Sequence, residues 1–265
     1  MQMRHRAALD GVQLDSVDNR IMISRIETGD GKENISAVSL AGEGSGSRVT
    51  SIHRDMIDVT VKFRIRLKKR DMAERELVLE KANAWALNGG WLTTNYKTGR
   101  RIRVFRAQAA TAGDPWDWTR EYAIVFRACG VPYWQESTAS SATASGSSGT
   151  VSLAVGGSEK TVMNAQFTNN SSSTCDNFSI STPESTISFS SLGLASGETL
   201  VIDHYDRGTR CNLRLRIRNT GNNYRSVYDK RTGDDDLILT PGTRSIEFSA
   251  QRSGSLTASC YGRFA

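Results

Sequence analysis

The chain is short of the residues that build chemical sites. Among its 265 residues are three histidines and four cysteines. Cys129, Cys175, Cys211 and Cys260 are scattered, with no C-x-x-C pair, and His5, His53 and His204 lie far from them in sequence. That spacing excludes the usual ligand pattern of a structural zinc site. No stretch approaches the ~18 apolar residues that a membrane span requires. The opening residues Met1 to Arg6 run into Asp10 without an apolar segment, so no secretion signal is expected. Synthesis in the cytoplasm, with reduced thiols, is the corresponding expectation. Nucleophile-elbow, zincin, P-loop and dinucleotide-binding signatures are all missing. No catalytic, cofactor-binding or metal-ligating residue is therefore expected, and the protein is not expected to be an enzyme.

What is present is a globular composition, 38% apolar and 23% charged. The length suits one large domain or two ordinary ones. The net charge of +6 is unevenly spread: 22 basic against 16 acidic residues through Trp134, and 12 against 12 beyond it. Such asymmetry concerns partners more than fold. The stretch 137–150, STASSATASGSSGT, holds only Ser, Thr, Ala and Gly. It has little apolar surface to offset its ordering entropy, and it reads as a linker over 136–150 between domains at 1–135 and 151–265.

The first half reads as strands around one helix. From Ile57 to Leu67, apolar Ile57, Val59, Val61, Phe63, Ile65 and Leu67 alternate with polar residues, the mark of a strand with one buried face. A helix is expected over about 71–88. Asp71 and Glu74 form a capping pattern, Leu77, Ala84 and Leu87 recur with Val78, Ala82 and Trp85, and Asn88-Gly89-Gly90 supplies a left-handed stop. Strands at 91–96 and 101–105 flank Lys97-Thr98-Gly99-Arg100, a hairpin connection, and Glu121–Arg127 is a further strand. The second half reads as all β. Its candidate strands are 150–155, 165–168, 177–180, 186–189, 199–203, 211–217, 237–239, 244–248 and 256–260, at the spacing of a sandwich or jelly roll.

Several clusters invite a chemical reading. The glycine-rich loop 42–46 follows no buried strand and opens no helix, so a flexible loop explains it better than a phosphate cradle. His204-Tyr205-Asp206 beside Asp203 offers a base or metal ligand without a visible third group. Asp234-Asp235-Asp236 lacks the alternation of a calcium loop and reads as a solvated turn. Basic runs lie at Arg64, Arg66, Lys68, Lys69, Arg70 and at Lys97, Arg100, Arg101, Arg103, Arg106, and Trp91, Tyr96 and Phe105 interleave with the second, a mix that can track a phosphate backbone. The plainer reading is solvated strand faces or subunit contacts. The candidate interface or channel-facing residues are Lys62, Arg64, Arg66, Arg101 and Arg103. In the second half Arg214 and Arg216 alternate with Leu213, Leu215 and Ile217, as candidate sheet-face contacts.

In order along the chain, these pieces resemble the distal tail (Dit-like) proteins of long-tailed phages. The resemblance rests on Leu9–Leu14, the strand 57–67, the capped helix, Gly90-Trp91-Leu92 leading into Thr98–Val104, and Tyr122–Phe126 ending in Pro132-Tyr133-Trp134. It continues with the small-residue stretch, LGLASGETLVID at 192–203, Leu239-Thr240-Pro241-Gly242 and Ile246-Glu247-Phe248. It implies a mostly β fold: an N-terminal β-sandwich or sheet with one packed α-helix, then a C-terminal galectin-like jelly-roll sandwich. It further implies a structural virion protein of the tail, without cofactor or catalysis. The first domains would form a homohexameric ring between the tail tube protein and the tail tip or fibre proteins, with DNA passing through without specific binding. The galectin sugar-binding pattern does not carry over, since His204-Tyr205-Asp206-Arg207 is not His-x-Asn-x-Arg. Three other readings remain: a carbohydrate-binding module using tyrosines such as Tyr205, Tyr224, Tyr228 or Tyr261, a tail tube subunit, and a nucleic-acid binder whose affinity falls with salt.

Overall fold

A computed structural model describes residues 5–29, 33–39, 47–112, 117–118, 120–130, 132–207 and 210–265. The chain divides into two units, Met1–Trp134 (with Ala265) and Gln135–Phe264. Both are mostly β.

Unit 1 runs β1 (Ala7–Leu9), β2 (Val12–Gln13), α1 (Leu14–Val17), β3 (Ile21–Thr28), β4 (Glu33–Ser39), β5 (Ser47–Arg54), β6 (Asp58–Ile65), α2 (Met72–Ala86), β7 (Gly90–Thr94), β8 (Arg100–Gln108) and β9 (Tyr122–Ala128). Seven of these strands form an antiparallel sheet in the order β2-β1-β7-β8-β9-β6-β3. The alternation in β6 works as its sequence implies: Val59, Val61 and Phe63 are buried, while Thr60, Lys62 and Arg64 point the other way. Ile102 and Val104 of β8 and Ile124 and Phe126 of β9 extend the same apolar face. Burying a side chain of this size stabilises the fold by about 1.5–3 kcal/mol.

Helix α2 covers that face. Asp71 caps it, its carboxylate accepting from the Glu74 N–H at 3.1 Å. Trp85 meets Phe126 edge-on at 5.8 Å and donates its indole N–H to the Val12 carbonyl at 2.8 Å. The helix turns a different stripe inward than Leu77, Ala84 and Leu87 suggest. Val78, Leu79, Ala82 and Ala86 are buried, whereas Leu77 and Leu87 are 47% and 58% exposed. Two stripes of similar apolarity compete on this helix, and the one with alanines at its close contacts packs against the sheet. Gly89, at φ +63°, ends the helix, and a Cβ there would stand 2.2 Å from the Val104 carbonyl oxygen. The turn 97–100 closes as expected, with the Arg100 N–H on the Lys97 carbonyl and Gly99 at φ +74°.

The sequence reading passed over two features of unit 1. Leu14–Val17 is a short helix. Strands β4 and β5 pair with each other in a hairpin, and among the described residues they have no third strand. The glycine-rich loop 42–46 lies outside the described residues.

β10 (Trp134–Glu136) straddles the boundary, and unit 2 continues through β11 (Ser140–Val155), β12 (Thr161–Asn169), β13 (Phe178–Ser181), β14 (Thr186–Phe189), β15 (Thr199–Arg207), β16 (Arg210–Arg218), β17 (Tyr224–Ser226), β18 (Arg231–Gly233), β19 (Ile238–Leu239), β20 (Gly242–Cys260) and β21 (Arg263–Phe264). The main order is β17-β16-β15-β12-β20-β13-β14-β18, with β11 on β20 and β19 on β12. Phe167 anchors the core between Phe178 (4.7 Å) and Phe248 (6.2 Å).

The expected linker is instead a strand. From Ser140, opposite Cys260, to Val155, opposite Gly242, β11 forms a continuous antiparallel ladder with β20, broken by one irregularity between Gly146 and Ser148. The strands expected at 244–248 and 256–260 are likewise one strand. The ladder orders this segment, because its partner supplies the large side chains and its backbone hydrogen bonds need no bulky residues. Ala142 and Ala144 pack against the core, while Ser141, Thr143 and Ser145 are exposed. At Gly254 a Cβ would meet the Phe167 ring at 2.4 Å, so a glycine lets the aromatic core reach the ladder.

Candidate functional site

The five basic candidates of unit 1 do not form one patch of free charge. On β6, Lys62 donates to Glu27 at 2.9 Å, and this ammonium holds the Glu27 carboxyl below its ordinary range. Arg64 lies 3.9 Å from Glu121. On β8, which is separated from β6 by β9, the Arg101 guanidinium lies 4.2 Å from the Trp91 ring centroid. Arg103, half-buried, sits opposite Trp91 in the ladder. Between these strands Arg127 grips Asp58 through two hydrogen bonds of 2.8 and 3.0 Å, which lowers the Asp58 pKa. The outward face therefore carries paired charges at Lys62, Arg64 and Arg127, with Phe105 and Trp91 beside them. Phe105 is 45% exposed.

Unspent positive charge lies beyond the end of β6. Arg66, Lys68, Lys69 and Arg70 are exposed and have no ion-pair partner among the described residues. They line a cleft of about 400 Å³ with Arg75, Trp118 and Tyr122. Arg75 is buried, and its guanidinium stacks over Trp118 at 4.9 Å. Of the five candidates only Arg66 belongs to this cleft. The basic run marked its flanks, but Trp118 reaches it by tertiary folding.

In unit 2, Arg214 and Arg216 converge on one carboxylate. Arg214 binds Asp203 at 3.2 and 2.6 Å, and Arg216 binds it at 2.9 Å. Arg216 also stacks on Tyr224 at 4.2 Å. Sequence alone paired Asp203 with His204 instead.

His204 is not an exposed strand end, because its side chain is 3% exposed. Its Nδ1 lies 3.2 Å from Asn164 Oδ1 and its Nε2 lies 3.0 Å from Asp236 Oδ1. Burial lowers its pKa, against the opposing pull of Asp236. The three aspartates at 234–236 serve three different partners. Asp234 accepts the Thr186 N–H at 2.7 Å, Asp235 pairs with Arg231 at 2.8 Å, and Asp236 faces His204. Among the described residues no His, Cys, Asp and Glu side chains group as a metal site. The side chains of Tyr205, Asp206, Arg210 and Asn212 lie outside the described residues. Burial pushes the Cys260 thiol up to about 11. No helix among the described residues is long and apolar enough to cross a membrane.

No family model matches the sequence, and no curated protein is detectably similar to it. Solved structures are. The SPP1 Dit (gp 19.1) protein, described as a paradigm of the hub adsorption apparatus in phages infecting Gram-positive hosts, aligns at TM-score 0.64 and 13% identity. The alignment covers 99% of this chain and 100% of that one. The chain has the Dit fold. A chain of the phage P2 baseplate in its activated conformation with Ca aligns at TM-score 0.52 and 9% identity, over 99% of this chain and 98% of that one. The Dit fold thus spans both units, the helix-bearing sheet and the all-β second half alike.

Proposed function

We propose that the protein is a structural subunit of a phage tail, a distal hub that joins the tail tube to the tip and its fibres, and that it catalyses no reaction. The observation that carries this reading is the end-to-end likeness to SPP1 Dit across both units. Unit 1 forms the ring, six copies closing around a channel through which DNA passes without specific binding. Unit 2 carries the tip and fibre attachments. The protein is made in the host cytoplasm and resides in the virion tail. Two features of unit 1 favour assembly. Its sheet ends at the short β2 on one side and at β3 on the other, and a closed ring of copies covers such edges. The β4–β5 hairpin pairs only with itself among the described residues, and an isolated two-stranded ribbon is marginally stable in water. The cations Arg66, Lys68, Lys69 and Arg70 then meet a neighbour's acids or the channel.

Light scattering on a sizing column, followed by negative-stain imaging of the peak, tests the proposal. A ring of six with a central opening is expected. Long stacked tubes would make the protein a tube subunit, and a monomer at every concentration would remove the ring.

A further inference from the structure

The outer edge of β11 is a long run of backbone that the fold of unit 2 does not use. β11 pairs with β20, and among the described residues no backbone hydrogen bond joins 140–155 to any other element. At Cys260, β20 carries Ser140 of β11 on one side and Met163 of β12 on the other. At Ser249 it carries Ser148 of β11 on one side and Ser179 of β13 on the other. β11 therefore borders the sheet at both ends of its ladder. In an antiparallel border strand every second residue turns its N–H and its C=O away from the ladder. Over 16 residues this makes a row of donors and acceptors outside the sheet.

Other borders of the same sheet are guarded, and this one is not. The strand order ends at β17 and β18, each three residues long and each carrying an arginine, Arg225 and Arg231. Short length and charge are ordinary means by which an edge avoids pairing with a foreign strand. β11 has neither: it is 16 residues long, and 137–158 holds no charged residue and no proline. Its one irregularity, between Gly146 and Ser148, separates two regular runs, 140–146 and 148–155. Thr143, Ser145, Thr150 and Ser152 are exposed and short enough to leave the edge open. Ala142 and Ala144 are half-buried against the core, and one more strand beside them would complete their cover.

We propose that the outer edge of β11 docks an extended segment of another polypeptide, which joins the sheet as one further strand. Main-chain hydrogen bonds hold the segment, and its side chains set the choice of partner. It alternates apolar residues, beside Ala142 and Ala144, with serine or threonine, beside the exposed hydroxyls. The edge offers no counter-charge, so the segment is uncharged where it pairs. A second copy's β11 has a suitable composition, but a strand pairs with its own copy across a two-fold axis, which neighbours around a six-fold ring lack. Assignment to a different polypeptide thus rests on the ring reading, whereas the open edge does not.

The test is isothermal titration and residue-resolved hydrogen exchange on the full chain with two probes. One is a peptide of alternating valine and threonine, about ten residues long, with a lysine at one end and a glutamate at the other. The other is the same peptide N-methylated throughout, which removes its backbone donors. The first peptide binds and slows exchange about tenfold or more at alternate amides of 140–155, and the N-methylated peptide does neither. Thr143→Lys combined with Thr150→Lys, at exposed positions, weakens binding about tenfold without lowering the melting temperature. No binding at millimolar concentration, equal binding of the N-methylated peptide, or slow exchange at every amide of 140–155 in the free chain overturns the proposal. So does affinity unchanged in the lysine variant. Protection that grows with protein concentration alone, without peptide, would assign the edge to a second copy instead. Light scattering on the same samples reports the ring separately: a monomer that binds the peptide keeps the docking edge and loses the ring, and a ring of six that ignores the peptide does the reverse.

Discussion

Asp18 carries a large share of the local order where α1 meets β3. Its carboxylate, with a side chain 5% exposed, accepts from Arg20 at 2.8 and 2.7 Å and from Lys81 of α2 at 3.0 Å. The hydrogen bonds from Arg20 hold its pKa far below the ordinary carboxylate range, against the opposing effect of burial. A depressed carboxylate pKa contributes stability that is fully present above the unfolded value of about 3.9 and is lost as the pH falls toward the folded value. Asp18→Asn is expected to lower stability at pH 7 by about 1–3 kcal/mol. It should also flatten the fall in stability below about pH 4. Urea unfolding at neutral and acidic pH, followed by tryptophan fluorescence, checks both effects. The sequence held no sign of this residue's weight, since Lys81 lies 63 positions away and only folding brings it near. His204 was hidden for the same reason: its partners Asn164 and Asp236 sit 40 and 32 positions away. Basic residues, by contrast, were easy to see, but their pairing was not. Lys62 and Arg64 on the wet face of β6 find acids on β3 and in the segment leading into β9.

Among the elements, α2 was legible at its ends and misleading along its length. Asp71 and Gly89 are local signals, each needing only the residues beside it, and both act as the pattern implies. Which stripe turns inward depends on the sheet below. Gly89→Ala places a Cβ in left-handed backbone and against the carbonyl of β8, and is expected to cost about 1–3 kcal/mol. A drop in melting temperature without change in the folded circular dichroism spectrum is the expected readout. Strands declared themselves where alternation was strong, as in β6 and β8. They stayed hidden where side chains were small or short. β11 reads as a spacer because serine, alanine and glycine carry no period that a hydrophobic pattern can reveal. The β4–β5 hairpin was missed beside its glycine-rich neighbour 42–46.

At the scale of the molecule, the order of the pieces was more informative than any one of them. No single motif is specific, and at 13% identity SPP1 Dit shares little sequence with this chain, yet strand, capped helix, hairpin and all-β second half follow in the expected sequence. The division into two units near Trp134 coincides with the change in charge balance there. What the composition misplaced was the soft point between them. With β11 paired along its length, elastase, which favours small residues, is expected to leave 140–155 intact under native conditions, as peptide mapping by mass spectrometry would show. Cleavage within that stretch would mean the ladder is open in solution. The same ladder brings the two ends of unit 2 together. Ser140 lies opposite Cys260, and Glu136 exchanges hydrogen bonds with Gly262, donating its backbone N–H to the carbonyl at 2.9 Å and accepting at its carboxylate at 3.1 Å. A tensile load applied through the backbone at these ends therefore pulls across the rungs at one end of the ladder. It opens β11 from β20 one rung at a time, as a zipper, instead of shearing all the rungs at once. Between its own two ends, unit 2 therefore yields to a smaller force than a sheared ladder of the same length would.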